Sequence, residues 1–239
     1  MKIGIFDSGM GGLNVLKDIV TKHPNNQYIY FGDTINLPYG NKSKEQLIQM
    51  SSKIVEFLEK KSVDLIIIAC GTCSCTVLEI LKNKFSTPII GILEPTINYL
   101  NKKNYRKIGV IATEMTIKTN YFEQHLPAIE VSCLATPKLV PLIENNLINT
   151  SECDIVLKEY LNNFKDIETL VLGCTHYKSI KEKIPNLPLI DMGEILSDSL
   201  ILPNDGKFKL TMYFSDLNEH ILEKTTELFG KCEKHEVRL

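Results

Sequence analysis

The 239-residue chain has no long hydrophobic run. Its longest apolar stretch, Leu65 to Cys70, falls far short of the roughly 20 residues needed to span a bilayer. It also lacks a basic stripe or a block of like charge. The formal charge is only −2, with both signs interspersed, so neither nucleic acid nor a membrane surface is an expected partner. The opening MKIGIFDSG carries one lysine and soon meets Asp7, which is no secretory pattern. Seven cysteines make an odd count without an export signal, so no disulfide framework is expected; the reading is a cytoplasmic protein with reduced thiols. Phosphate and cofactor fingerprints are missing too. The glycines in GMGG at 9–12 lack G-x-G-x-x-G spacing, no P-loop GK[ST] occurs, and no pyridoxal-binding lysine motif is evident.

What is present is ordinary globular composition, 44% hydrophobic and 23% charged, and a regular alternation of elements. Met1–Phe6, Gln27–Phe31, Asp64–Ala69 and Thr87–Ile92 are apolar, rich in isoleucine and too short for helices, so they read as buried strands. Gly12–His23 and Ser43–Lys61 place apolar residues every three to four positions and read as helices. Such alternation implies a parallel sheet covered on both faces.

The second half repeats the first. KIGIFDSGM at 2–10 matches KIGVIATEM at 107–115, Cys70 matches Cys174, Pro38 matches Pro141, and TPII at 87–90 matches LPLI at 187–190. The offsets run only from 105 down to 100 and the order is kept, which indicates duplication. The expected fold class is α/β, with two pseudo-symmetric lobes. Each would be a mostly parallel sheet flanked by helices, with the active site in the cleft between them. Residues 1–95 plus 205–239 would form the first α/β lobe and 96–204 the second; in the unrepeated tail, Lys209–Phe214 reads as a strand and Glu219–Phe229 as a helix. No Gly/Ser-rich linker separates the halves.

Four strand ends carry the polar residues, and all would face one cleft: Asp7-Ser8-Gly9, Asp33 with Pro38-Tyr39-Gly40, Cys70-Gly71-Thr72, and Cys174-Thr175-His176. Cys70 and Cys174 each sit where a strand is expected to turn into a helix, Thr76–Lys84 and Ser179–Ile184 respectively, and amide groups at a helix start favour a thiolate. A lone cysteine at a strand end is usually a small buried hydrophobe. Two in equivalent positions, each followed shortly by threonine, point instead to paired acid and base. The remaining cysteines, Cys73, Cys75, Cys133, Cys153 and Cys232, lack this context and read as structural. Twin thiols facing one ligand suit racemisation of a small carbon acid, because a planar carbanion needs a base on one face and an acid on the other. No cofactor and no metal is called for. Asp7 would orient or assist Cys70, though its repeat partner is Ala112; His176 and Glu144 are the polar partners available to Cys174. Ser8, Thr72, Thr113, Thr116 and Thr175 are candidates to donate hydrogen bonds to a substrate carboxylate.

FDSGMGGL at 6–13, FGDTINLPYG at 31–40, ACGT at 69–72, PKLVPLIE at 137–144 and GCTHY at 173–177 closely resemble the signatures of the glutamate racemase family, in order over about 1–200. The resemblance implies a cofactor-independent two-thiol racemase with two α/β lobes, a homodimer that supplies D-glutamate for peptidoglycan. It places Cys70 and Cys174 on the acid/base positions, and Asp7, Ser8, Tyr39, Gly40, Thr72, Thr175 and His176 on substrate-contacting ones. Pro38, Gly71, Thr113 and Thr116 complete the expected substrate-binding set. Two positions depart from the pattern: Gly71 stands where many members have asparagine, and Lys178 where proline is common.

Three other readings remain open on the residues. A related aspartate or broad-specificity racemase would share the chemistry. Cys70, Cys73, Cys75, Cys174 and His176 are zinc ligands by type, although their spacing is irregular. A two-lobed binding protein without catalysis would leave the paired thiols unexplained.

Overall fold

The computed structural model describes residues 1–239 as two parallel sheets with helices on both sides. In the first half the strands are β1 (Lys2–Asp7), β2 (Gln27–Gly32), β3 (Leu65–Ile68) and β4 (Ile89–Gly91). Between them come helices α1 (Gly11–Lys22), α2 (Lys44–Lys60), α3 (Gly71–Thr76) and α4 (Leu78–Lys84), and α5 (Leu93–Asn101) leads into the second half. There β5 (Lys107–Ala112), β6 (Glu130–Ala135), β7 (Thr169–Leu172) and β8 (Leu189–Asp191) alternate with α6 (Glu114–Lys118), α7 (Tyr121–His125), α8 (Leu139–Glu144) and α9 (Ser151–Leu161). Helix α10 (Met192–Ser199) precedes the tail, which holds β9 (Lys209–Phe214), α11 (Glu219–Phe229) and β10 (Glu233–Glu236).

The duplication read from the sequence is visible in the strand order. The first sheet runs β10-β9-β2-β1-β3-β4 and the second β6-β5-β7-β8, so β2-β1-β3-β4 and β6-β5-β7-β8 are the same arrangement. The registers agree as well: Lys2 lies opposite Gln27 and Lys107 opposite Glu130, while Ile3 meets Leu65 and Ile108 meets Thr169. The tail strands β9 and β10 extend the first sheet beyond β2.

Strand periodicity divides the core. Ile3, Ile5, Ile67, Ile108, Val110 and Val171 point into a central cluster shared by both lobes. Phe6, Ile66 and Ile68 fill a second cluster under α2 and α4, and Ile111, Leu170 and Leu172 a third under α8 and α9. The shared cluster explains how two lobes without a flexible linker hold a fixed cleft.

Several expected elements differ in detail. The helix anticipated over Thr76–Lys84 begins at Gly71, directly after Cys70, and breaks at Val77 into α3 and α4. The one anticipated over Ser179–Ile184 is a 3-10 run from Thr175 to Lys183. Its buried Tyr177 and Ile180 lie three apart, the repeat of a 3-10 turn, and Pro185 then restricts Ile184 and ends it. Strand β10 has the sequence EKHE and carried no apolar signal.

Candidate active site

The two thiols are delivered by equivalent elements. Cys70 follows β3 at the start of α3, and Cys174 follows β7 at the start of the 3-10 run. Both line one cleft between the lobes, together with Ser8, Pro38, Tyr39, Gly40, Gly71 and Thr72 from the first lobe. Thr113, Thr175 and His176 contribute from the second, with Leu37, Val140 and Gly173, which sequence reasoning did not single out. The free space enclosed is about 20 Å³, room for little more than a water molecule. The lobes are therefore closed on each other in this structure. A roomier cavity of about 1250 Å³ lies between α4, α5, α7 and α10, away from the thiol pair.

Asp7 is wholly buried beneath this cleft. Its Oδ2 accepts the amide hydrogens of Gly12 (2.8 Å) and Gly9 (3.2 Å), so the carboxylate ties the first strand end to the start of α1. Its Oδ1 has no partner. Burial pushes the Asp7 carboxyl above its usual range, against the charge of His176 and those amides. The hydrogen bonds of Asp7 thus go to backbone, and it reaches Cys70 through its charge. The Cys70 sulfur instead has Ser8 Oγ at 3.8 Å and the thiol of Cys73 beside it. Hydrogen bonding from Cys73 lowers the Cys70 thiol below its ordinary value, overcoming burial and the negative charge of Asp7. Burial in turn drives Cys73 well above its own ordinary value and keeps it a donor, with Ser51 Oγ at 3.5 Å on its far side. Burial likewise pushes the Cys75 thiol up to about 11.

Cys174 has a different neighbour. Its sulfur lies 3.5 Å from His176 Nδ1, and His176 Nε2 is tightly bonded to Glu144 Oε1. Burial opposes charge on the His176 ring, yet the bonds and charges of Cys174 and Glu144 prevail and hold its pKa well above the ordinary value. Glu144 also accepts the Met10 amide at 3.3 Å, joining α8 of the second lobe to the start of α1. It stands behind the ring, outside the cleft itself.

The hydroxyl candidates divide in two. Thr72 and Thr113 meet across the lobes at 2.9 Å. Thr116 reaches only Thr113, at 3.0 Å, and is itself buried, so it supports Thr113 and does not line the cleft. Tyr39 lines the cleft with its ring while its hydroxyl donates to Asp33 at 2.6 Å. Gly71 sits close to the second lobe: a Cβ there would lie 3.0 Å from the Gly173 carbonyl oxygen, a tight contact that a side chain could occupy only if that backbone gave by a few tenths of an ångström. No group of three or more His, Cys, Asp or Glu side chains is arranged to hold a metal ion.

The chain is similar to known proteins in sequence and in fold. The family model described as Asp/Glu/Hydantoin racemase matches residues 10–200. The glutamate racemase of Aquifex aeolicus is 40% identical over 231 residues, covering 92% of this chain and 91% of that protein. The solved structure of glutamate racemase from Aquifex pyrophilus superposes with a TM-score of 0.85 at 38% identity, covering 98% of each chain. That of the Francisella tularensis enzyme in complex with D-glutamate gives 0.86 at 31%, covering 100% of this chain and 97% of that one. The chain belongs to the Asp/Glu/Hydantoin racemase family and is an amino-acid racemase.

Proposed function

We propose that this protein is a glutamate racemase that interconverts L- and D-glutamate with Cys70 and Cys174 as acid and base. The observation that carries this is the placement of the two thiols, from equivalent strand ends of twin lobes, on one closed cleft. One thiolate takes the α-proton from one face of the bound amino acid. The carbanion flattens, and the opposite thiol returns a proton to the other face. Each unit of pKa mismatch between thiol and α-carbon costs about 1.4 kcal/mol, so the cleft must stabilise the carbanion. The hydroxyls of Ser8, Thr72, Thr113 and Thr175 and the backbone of Gly40 and Gly71 are placed to hold the carboxylates. Gly71 offers only backbone, so this position contributes no side-chain contact.

His176, charged and buttressed by Glu144, serves the Cys174 step; Asp7 and Cys73 set the environment of Cys70. Resemblance to the family supports a homodimeric cytoplasmic enzyme feeding D-glutamate into peptidoglycan. Glutamate is favoured over aspartate because relatives matching this chain over nearly its whole length, at 40% and 36% identity, are named glutamate racemases.

The test is racemisation followed by circular dichroism, with glutamate and aspartate compared. Glutamate should be turned over, and in D2O the product enantiomer should carry α-deuterium. Cys70→Ser and Cys174→Ser should each lose on the order of 10²-fold or more in rate. Turnover of aspartate alone, or wild-type rates in both variants, would overturn the proposal.

A further inference from the structure

One face of α1 runs along the second lobe. Gly11, Val15, Asp18 and Lys22 are spaced 4, 3 and 4, which puts them on one side of the helix. At the first of these, a Cβ would fall 2.6 Å from His176 Nδ1, so ring and helix are in direct contact. Further along, a Cβ on Gly193 of α10 would fall 2.9 Å from Asp18 Oδ2 and 3.2 Å from Val15. Lys22 then pairs with Asp198, and His23 Nε2 lies 3.0 Å from the Ser197 carbonyl oxygen.

Within this seam stands Lys178, two residues beyond His176 on the same 3-10 run. Its Nζ lies 2.6 Å from both carboxylate oxygens of Asp18 and 3.4 Å from Glu194, which Lys181 also holds at 2.8 Å. The Lys178 and Asp18 side chains are only 26% and 17% exposed, so salt screens the pair weakly. Nothing in the proton transfers uses this lysine. We propose that Lys178 is a positioning residue: by gripping Asp18 across the lobe junction it sets where the 3-10 run lies, and hence where the His176 ring stands beside Cys174.

Leu13, Leu16 and Ile19 seat α1 in the shared core, and Tyr177 and Ile180 seat the 3-10 run in the second lobe's core, all with no exposed surface. Of the two, the 3-10 run, with its poorer hydrogen bonds, is the one that shifts when the grip is cut. Cys70 is set by Ser8 and Cys73 within its own lobe, so the effect falls on the Cys174 step alone.

This rests on the two-thiol reading, and isotope effects separate the two. With α-deuterated L- and D-glutamate, the wild-type enzyme reports abstraction by one thiol in each direction. Lys178→Met should lower kcat/KM about tenfold, equally both ways because the enantiomers have equal free energy. The α-deuterium effect should rise in the direction where Cys174 abstracts and fall in the other. Asp18→Asn, which keeps the shape of the side chain, should show the same divergence, and Lys178→Arg should return both values towards wild type. Loss of a purely structural contact lowers the active fraction and leaves both isotope effects unchanged. Wild-type isotope effects in both Lys178→Met and Asp18→Asn would overturn the proposal. Should Lys178→Met fail to fold, Asp18→Asn decides alone. A wild-type protein that does not racemise glutamate overturns the functional reading, and this one with it.

Discussion

Gly11→Ala isolates the contact between α1 and the His176 ring. Ordinary van der Waals separation begins near 3.4 Å, whereas the added Cβ would lie 2.6 Å from His176 Nδ1 and 2.8 Å from Cε1, with Thr175 Oγ1 closer still. The ring and the threonine must therefore retreat by close to an ångström. A misplacement of about 1 Å in a catalytic constellation costs on the order of 10²-fold, so kcat for racemisation should fall by roughly that factor. Stability should suffer much less. Overpacking costs about 1–3 kcal/mol, while replacing glycine in a helical conformation returns about 0.4–1 kcal/mol through the unfolded state. The net loss is about 1–2 kcal/mol, a fall in Tm of roughly 2–8 °C for a chain of this size. Thermal unfolding and a coupled circular-dichroism assay on one preparation measure both. Activity within twofold of wild type would refute the argument that this glycine exists to admit the ring. A variant that does not fold would show instead that the contact is structural.

Glu144→Gln should lower stability by about 3 kcal/mol near neutral pH, because it leaves the buried, charged His176 without its counter-ion. Glu144 has its carboxyl lowered and His176 its ring raised, so the pair contributes between those limits; it is lost as pH falls through the first or climbs through the second. Urea titrations should therefore show the deficit shrinking below the ordinary carboxylate value of 4.5; a deficit constant from pH 4 to pH 8 would contradict the assignment. Thr72→Val removes the 2.9 Å hydroxyl bridge to Thr113, which keeps Thr116 as partner. Stability should drop by about 1 kcal/mol and KM should rise, read by thermal melts and initial rates; an unchanged KM would remove Thr72 from the substrate set. Phe214→Ala, a wholly buried ring of the tail strand β9 against Tyr30 and Gly32, should cost about 3–5 kcal/mol in denaturant unfolding; a cost below 1 kcal/mol would detach the tail from the first lobe's core.

Apolar runs and internal repetition made the fold readable. Ile3, Ile5, Ile66 and Ile68 read as strand residues buried on both faces, and the near-constant repeat offset sets Cys70 and Cys174 at equivalent strand ends. Local composition was silent on what depends on distant approach. Cys73 looks like any small buried residue until its sulfur is found beside Cys70, and Lys178 meets Asp18 across 160 residues of chain. Strand β10 pairs through its backbone while its side chains are charged, so hydrophobic patterning does not mark it.

The repeat also misleads in one respect, since matched positions invite the assumption of matched chemistry. Asp7 has Ala112 as its counterpart, and with Cys70 matched to Cys174, His176 falls opposite Thr72 and Tyr177 opposite Cys73. Around Cys70, burial and the Asp7 charge work against the thiolate while Cys73 favours it; beside Cys174 stands a charged imidazole backed by a carboxylate. A reversible reaction between enantiomers does not require the two sides to be alike. Equal free energy of the enantiomers fixes equal kcat/KM in both directions, whichever thiol crosses the higher barrier. On the two-thiol proposal, selection keeps the strand order that brings both thiols to one cleft and lets the neighbours diverge, provided each thiol still exchanges a proton with the α-carbon. The α-deuterium isotope effects measured in each direction reveal that divergence, because only they distinguish which thiol's step limits the rate.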